Sequence, residues 1–212
     1  MAGHPGQARA ALTRERLVRN AAAEFAVHGY DGTSLSRVCK AAGVTMGALT
    51  FHYPSKALLA QAVCSAGIEV TRAVVERADG QGKTPLQSVG GVVGALAALL
   101  NDDGVARAAA RLSRERPVLR TDWRDSWLPL VRARLHQAEV LDLLHPGTRP
   151  ESAALLVGSL VAGVEAGLLP RPRQTPPHPP TAQEHLTELW HTALQGIGAP
   201  QDPCASTPEG LP

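Results

Sequence analysis

Between Thr33 and Lys56 the chain reads TSLSRVCKAAGVTMGALTFHYPSK, and the punctuation inside those residues leaves few conformations open. Leu35, Val38, Cys39 and Ala42 recur at three- and four-residue spacing, which predicts one buried face of a helix with Thr33 as its N-cap. Gly43 supplies the positive φ of a tight C-terminal turn, and Val44 fills the corner. Thr45 then caps a second helix through Ala48, Leu49 and Phe51. Pro54 cannot extend that helix, and Ser55 caps a third, longer one from Lys56. Two short helices hinged at a glycine are a helix-turn-helix.

The run Thr13-Arg14-Glu15, Ala21-Ala22, Phe25, Gly29-Tyr30, Thr33, Ala41-Ala42-Gly43-Val44, Gly47 and Phe51-His52-Tyr53-Pro54-Ser55-Lys56 resembles the DNA-binding domain of the TetR family of transcription regulators. Within that family, Gly43-Val44-Thr45, Gly47-Ala48-Leu49 and Phe51-His52-Tyr53, followed by Leu59-Ala60-Gln61-Ala62-Val63, look most like the γ-butyrolactone receptors. The resemblance implies an all-α fold, with an N-terminal three-helix domain and a larger C-terminal helical domain for ligand binding and dimerisation. It also implies a homodimer on a near-palindromic double-stranded operator, a small-molecule ligand, and no cofactor.

Residues 1–60 carry seven Lys/Arg against three Asp/Glu, whereas the remainder carries fourteen against sixteen. The basic end is thus the end with the helix-turn-helix, as binding to a polyanion requires. No apolar secretory run opens the chain, so a cytoplasmic protein is expected. The three cysteines and eight histidines form neither a metal-ligand spacing nor an even disulfide set.

In chain order, residues 1–11 contain Gly and Pro and are expected to be loose. The helix-turn-helix domain occupies 12–55, with a first helix from Leu12 or Thr13 that packs Leu17, Ala21 and Phe25 and ends at Gly29. The recognition helix, Thr45 to His52, is read as entering a major groove. Gly47 and Ala48 let the backbone approach, while Thr45, Thr50 and His52 can donate to phosphates or base edges. By resemblance, Thr13, Arg37 and Lys56 face phosphates. Met46 and Thr50 stand where the γ-butyrolactone receptors usually carry lysine and tyrosine, which predicts a shallower salt dependence of DNA binding.

Apolar residues at helical spacing continue from Lys56, so 56–80 is expected to be a connecting helix, and 81–198 the ligand-binding and dimerisation domain. Helices are predicted for Leu86–Leu100, Val105–Arg116, Thr121–Val140, Glu151–Leu169 and His185–Ile197. The first and fourth of these are apolar nearly all round but too short or too interrupted for membrane spans. Gly158, Ala162 and Ala166 offer a close-approach stripe, and with the last helix they suggest a dimer face. Trp123, by resemblance, lines the ligand pocket. Trp127, one turn on, is the second candidate, and Trp190 is assigned to interface packing. Six prolines between 169 and 180 exclude a regular helix there, and 199–212 is expected to be disordered.

The leading function is a ligand-responsive repressor of secondary-metabolism genes. The alternative is a small-molecule binding protein with weakened or lost operator affinity. No nucleophile–base pair, carboxylate pair or phosphate loop suggests an enzyme.

Overall fold

Helix caps divide the chain much as its sequence suggests. The computed structural model describes residues 5–116, 122–167 and 182–198. Among them the elements are α1 (Pro5–Gly32), α2 (Leu35–Ala42), α3 (Met46–His52), α4 (Lys56–Asp79), α5 (Pro85–Asp102), α6 (Gly104–Glu115), a 3-10 turn (Trp123–Ser126), α7 (Leu128–Val140), α8 (Pro150–Glu165) and α9 (Ala182–Ile197). The described residues hold no named strand, only an isolated bridge between Leu144 and Gly198. The expectations for 170–180 and 199–212 lie outside the described residues.

α1 begins at Pro5, so residues 5–11 are helical rather than loose, and Pro5 suits a helix start because its missing N–H would be unpaired there in any case. α1 is broken at Gly29 (φ 68, ψ −176). That break changes the next cap. Thr33 is not the N-cap of α2: it is buried and donates its hydroxyl to the Gly29 carbonyl at 2.8 Å. Ser34 takes the role instead, accepting from the Arg37 amide.

Two apolar cores result. The first gathers Leu17, Ala21 and Phe25 of α1, Val38 and Cys39 of α2, Leu49 of α3 and Leu59, Val63 and Cys64 of α4, and is closed by Ala108 and Leu112 of α6. The second is built around α5, which packs against α4, α6, α7, α8 and α9. α4 is long and apolar enough by composition to span a membrane, but its apolar side is covered by α1, α5 and α6.

The segment expected as one helix from Thr121 to Val140 is two pieces. Asp122 caps the 3-10 turn by accepting from the Arg124 amide, and Pro129 helps fix the start of α7. Trp127 sits at the junction with φ −143 and ψ −34. Trp123 and Trp127 therefore do not share a regular helical face, and their rings meet edge to face at 5.9 Å.

Candidate DNA-reading helix and ligand cavity

α3 is held by one buried anchor and two caps. Leu49 is fully buried, Thr45 accepts the Ala48 amide at 3.2 Å, and the Tyr53 amide closes the last turn on the Leu49 carbonyl at 2.8 Å. Ahead of α3, Gly43 at φ 63 and Val44 direct their amides to Lys40 and Cys39, and Arg16 donates to the Ala42 carbonyl at 2.6 Å. The turn is thus fastened from both sides.

This leaves Thr45, Met46, Gly47, Thr50 and Phe51 exposed, with Ala48 and His52 half-buried. The Thr50 hydroxyl is already donated within the helix, 3.0 Å from the Met46 carbonyl and 3.2 Å from that of Gly47, so it must rotate before it can meet a phosphate. Phe51 is 82% exposed and lies edge-on to His52 at 5.2 Å. The sequence places it in the second helix and in the family motif without assigning it a DNA contact, although its position carries a signal. Two residues past a buried Leu49 on a helix is a rotation of about 200°, which points Phe51 outward.

The expected phosphate partners on α1, α2 and α4 are all present in this domain, but each already has an intramolecular contact. Arg37 holds Glu24 at 3.2 Å through Nε, and an amino nitrogen of its guanidinium lies 2.7 Å from His28 Nε2. The Lys56 ammonium sits 4.4 Å from the Tyr30 ring centroid, where Arg116 also stacks at 4.3 Å. Thr13 donates to the Arg9 carbonyl at 3.0 Å, and Arg19 pairs with Glu15 at 2.6 Å. Exposed pairs of this kind contribute little and exchange readily for other anions.

A cavity of about 430 Å3 opens between α6, the 3-10 turn and α8. Ala110, Ser113 and Arg114 come from α6, and Gly158, Val161, Ala162 and Glu165 from α8; both tryptophans line it. The stripe expected to receive a partner helix therefore gives two of its members, Gly158 and Ala162, to this cavity. The two indoles differ in what they offer. Trp123 donates its N–H to Thr71 of α4 at 2.8 Å, and Thr71 in turn donates to the Gly67 carbonyl at 2.7 Å. Trp127 is 1% exposed, and among the described residues its indole N–H has no partner. An unpaired buried donor is unfavourable, and a ligand acceptor would relieve it. At the cavity edge Arg114 grips Glu165 with two hydrogen bonds, 2.8 and 3.1 Å, and Glu165 raises the Arg114 pKa.

α6 reaches from this cavity to the end of α1. One face carries Ser113, whose hydroxyl accepts the Trp123 amide at 3.0 Å. Another face carries Arg111, which donates to the Ala26 and Val27 carbonyls at 3.0 Å each and to Glu115 at 2.7 Å. Glu115 accepts the Tyr30 amide at 2.8 Å. Burial would raise the Glu115 carboxyl, but the Arg111 hydrogen bond and the Tyr30 amide hold it below the usual range. Gly29 is required at this contact, because its φ is positive and an added Cβ would lie 2.6 Å from the carboxylate. α6 also lies hard against α4, where a Cβ on Gly67 would sit 2.4 Å from that of Ala109.

Residues 17–63 match the family model described as bacterial regulatory proteins, tetR family. The chain is 31% identical to the A-factor receptor protein of Streptomyces griseus, over 96% of its own length and 70% of that protein. The chain belongs to the tetR family. Among solved structures, a γ-butyrolactone receptor described as ArpA-like is 28% identical with a TM-score of 0.72, over 90% of each chain. The TetR family protein CprB of S. coelicolor A3(2) is 27% identical with a TM-score of 0.74, over 91% of this chain and 92% of that one. These tetR-family relatives share the arrangement described above across nearly the whole chain, from the helix-turn-helix to the helical second domain.

Proposed function

We propose that this tetR-family regulator is a cytoplasmic, homodimeric repressor whose α3 helices read a near-palindromic operator, and whose operator affinity falls when a γ-butyrolactone-like molecule enters the cavity between α6 and α8. The observation that carries this reading is that α6 lines the cavity and also fastens the end of α1 through Arg111 and Glu115. A ligand that prefers a shifted α6 moves the heads away from the spacing that fits successive major-groove faces, and its differential affinity sets how much DNA binding is lost.

On this reading Thr45, Gly47, Ala48, Thr50, Phe51 and His52 meet the groove, and Thr13, Arg37 and Lys56 exchange their internal partners for phosphates. Met46 supplies contact but no charge. Trp127 donates to the ligand's carbonyl, while Trp123 packs against it and reports to α4 through Thr71. The cavity is a recognition site without a catalytic role. Pairing of two copies uses the outer side of α8, where Leu155 is 72% exposed beside Leu156 and Ser159, together with α9. The A-factor receptor relative supports the ligand class, and a 30% identical structure described as controlling antibiotic production supports secondary-metabolism genes as targets.

The test is capture of source-genome fragments by the purified protein at about 0.1 M salt, where phosphate contacts are screened but not abolished, followed by challenge with A-factor. Recovery of a few near-palindromic fragments that A-factor or a related lactone releases is the expected result. Recovery of none, or of all equally, overturns the reading. Gly158→Leu, which fills space left open beside the cavity, should keep the fragments bound but block release.

A further inference from the structure

A second cavity, of about 520 Å3, lies between α5, α9 and the segment after α7, and shares no residue with the first. Its floor is α5 at Gly90 and Gly94. A Cβ on Gly90 would lie 2.7 Å from Trp190 Nε1, so the pyrrole edge of that indole leans over the missing side chain. Among the described residues nothing lies within 4 Å of where a Gly94 Cβ would be. Trp190 is 3% exposed, and among the described residues its N–H has no partner. Among the described residues the wall contains no Asp, Glu, Lys or Arg, and His191 at the edge is its one titratable group. The first cavity differs in this respect, since Arg114 and Glu165 stand at its edge.

We propose that this cavity is a second small-molecule site, which takes a neutral, largely apolar carbonyl compound whose oxygen accepts the Trp190 N–H. An anion would find no cation in the wall, and a purely aliphatic molecule would leave the indole donor unpaired. The volume suits a compact ligand of one or two rings. The flank of α9 that lines the cavity is not the one most open to a second copy of the chain. The cavity takes Thr187, Trp190, His191 and Leu194, the flank of α9 turned toward α5, whereas exposed Glu188, Thr192 and Gln195 lie on the flank available to a partner helix. The proposal stands independently of the ligand assigned to the first cavity.

The three tryptophans make this testable by 1H–15N spectroscopy of the full-length protein, with the indole signals assigned through Trp→Phe substitutions. Cyclohexanone, coumarin and γ-decalactone, neutral carbonyl compounds of different size, serve as probes. At least one should move the Trp190 indole signal in a saturable manner. That shift should persist in Gly158→Leu, which fills the first cavity, and disappear in Gly94→Leu, which fills the second while the protein stays folded and dimeric. The proposal is overturned if no probe moves the Trp190 signal, or if the shift survives Gly94→Leu. It is equally overturned if Gly94→Leu dissociates the dimer in sedimentation, since the space would then belong to the partner.

Discussion

Replacing Arg111 with methionine isolates the contact between the cavity helix and the DNA-reading domain. Methionine keeps most of the apolar stem, so packing changes little. The substitution removes two hydrogen bonds to the end of α1 and one to Glu115. Hydrogen bonds from a charged donor contribute about 1.5–3 kcal/mol when well buried. Here the Arg111 and Glu115 side chains are 29% and 27% exposed, so water recovers much of that. A net loss of about 2 kcal/mol is expected, equivalent to a fall of roughly 4–8 °C in melting temperature for a protein of this size. Arg111 is on α6, away from α3, so operator affinity without ligand should stay within about threefold, given that phosphate contacts set most of it. Ligand response should change far more. If the latch carries about 1.4 kcal/mol of the coupling between cavity and heads, the ligand-induced loss of affinity shrinks tenfold. Fluorescence anisotropy on a labelled operator, with and without saturating ligand, measures both quantities. A variant that melts earlier but releases DNA with unchanged ligand response would refute the coupling role and reduce Arg111 to a structural contact.

Trp127→Phe keeps a six-membered aromatic ring but removes the pyrrole ring with its N–H. Ligand should then be needed at a concentration at least about tenfold higher, from one lost hydrogen bond of roughly 1–1.5 kcal/mol together with the packing lost with the pyrrole ring, with operator affinity unchanged in the same anisotropy titration. Phe51→Ala should weaken operator binding at constant melting temperature, since the ring is exposed and anchors nothing in the core. Ser34→Ala should cost about 1 kcal/mol in urea unfolding through loss of the α2 cap. The Asp79 carboxyl is held below its usual range, first by its hydrogen bond to Arg134, against the effect of burial, and further by Ser88 and the Arg134 charge. Because the folded value lies below the unfolded one, the stabilisation is complete above about pH 5 and fades as pH falls through the folded value. Asp79→Asn should therefore lower stability at pH 7 and flatten its decline toward pH 3.

The helix-turn-helix was legible because its information is local. Gly43, Thr45, Pro54 and Ser55 act on their own backbone, and the residues they cap lie within four positions. Thr33 misled for a reason that is not local. Its hydroxyl is drawn to the carbonyl that the Gly29 break leaves free, and the cap passes to Ser34. The cavity was only half legible. Two tryptophans four residues apart read as one helical face, but Asp122 and Pro129 divide that stretch into a 3-10 turn and a helix. Which indole keeps a free donor then depends on Thr71, fifty-two positions away on α4, and no spacing rule connects them.

The commitments of the cations bear on how such a regulator responds. Arg37 rests on Glu24 beside His28, and Lys56 lies over Tyr30, the residue whose amide is held by Glu115 of α6. Tyr30 is thus touched from both directions, by a side chain assigned to phosphate and by the end of the helix that lines the cavity. On the proposed reading, Met46 and Thr50 add no charge of their own, so operator affinity would rest on fewer ionic contacts than a lysine at position 46 would allow, and each remaining one would weigh more. A small displacement at the end of α6, carried through Glu115 to Tyr30, would then alter the proposed Lys56 phosphate contact as well as the spacing of the heads. On that reading, sparse charge on α3 and a latch ending under Lys56 would act in the same direction, toward release by a ligand of modest differential affinity.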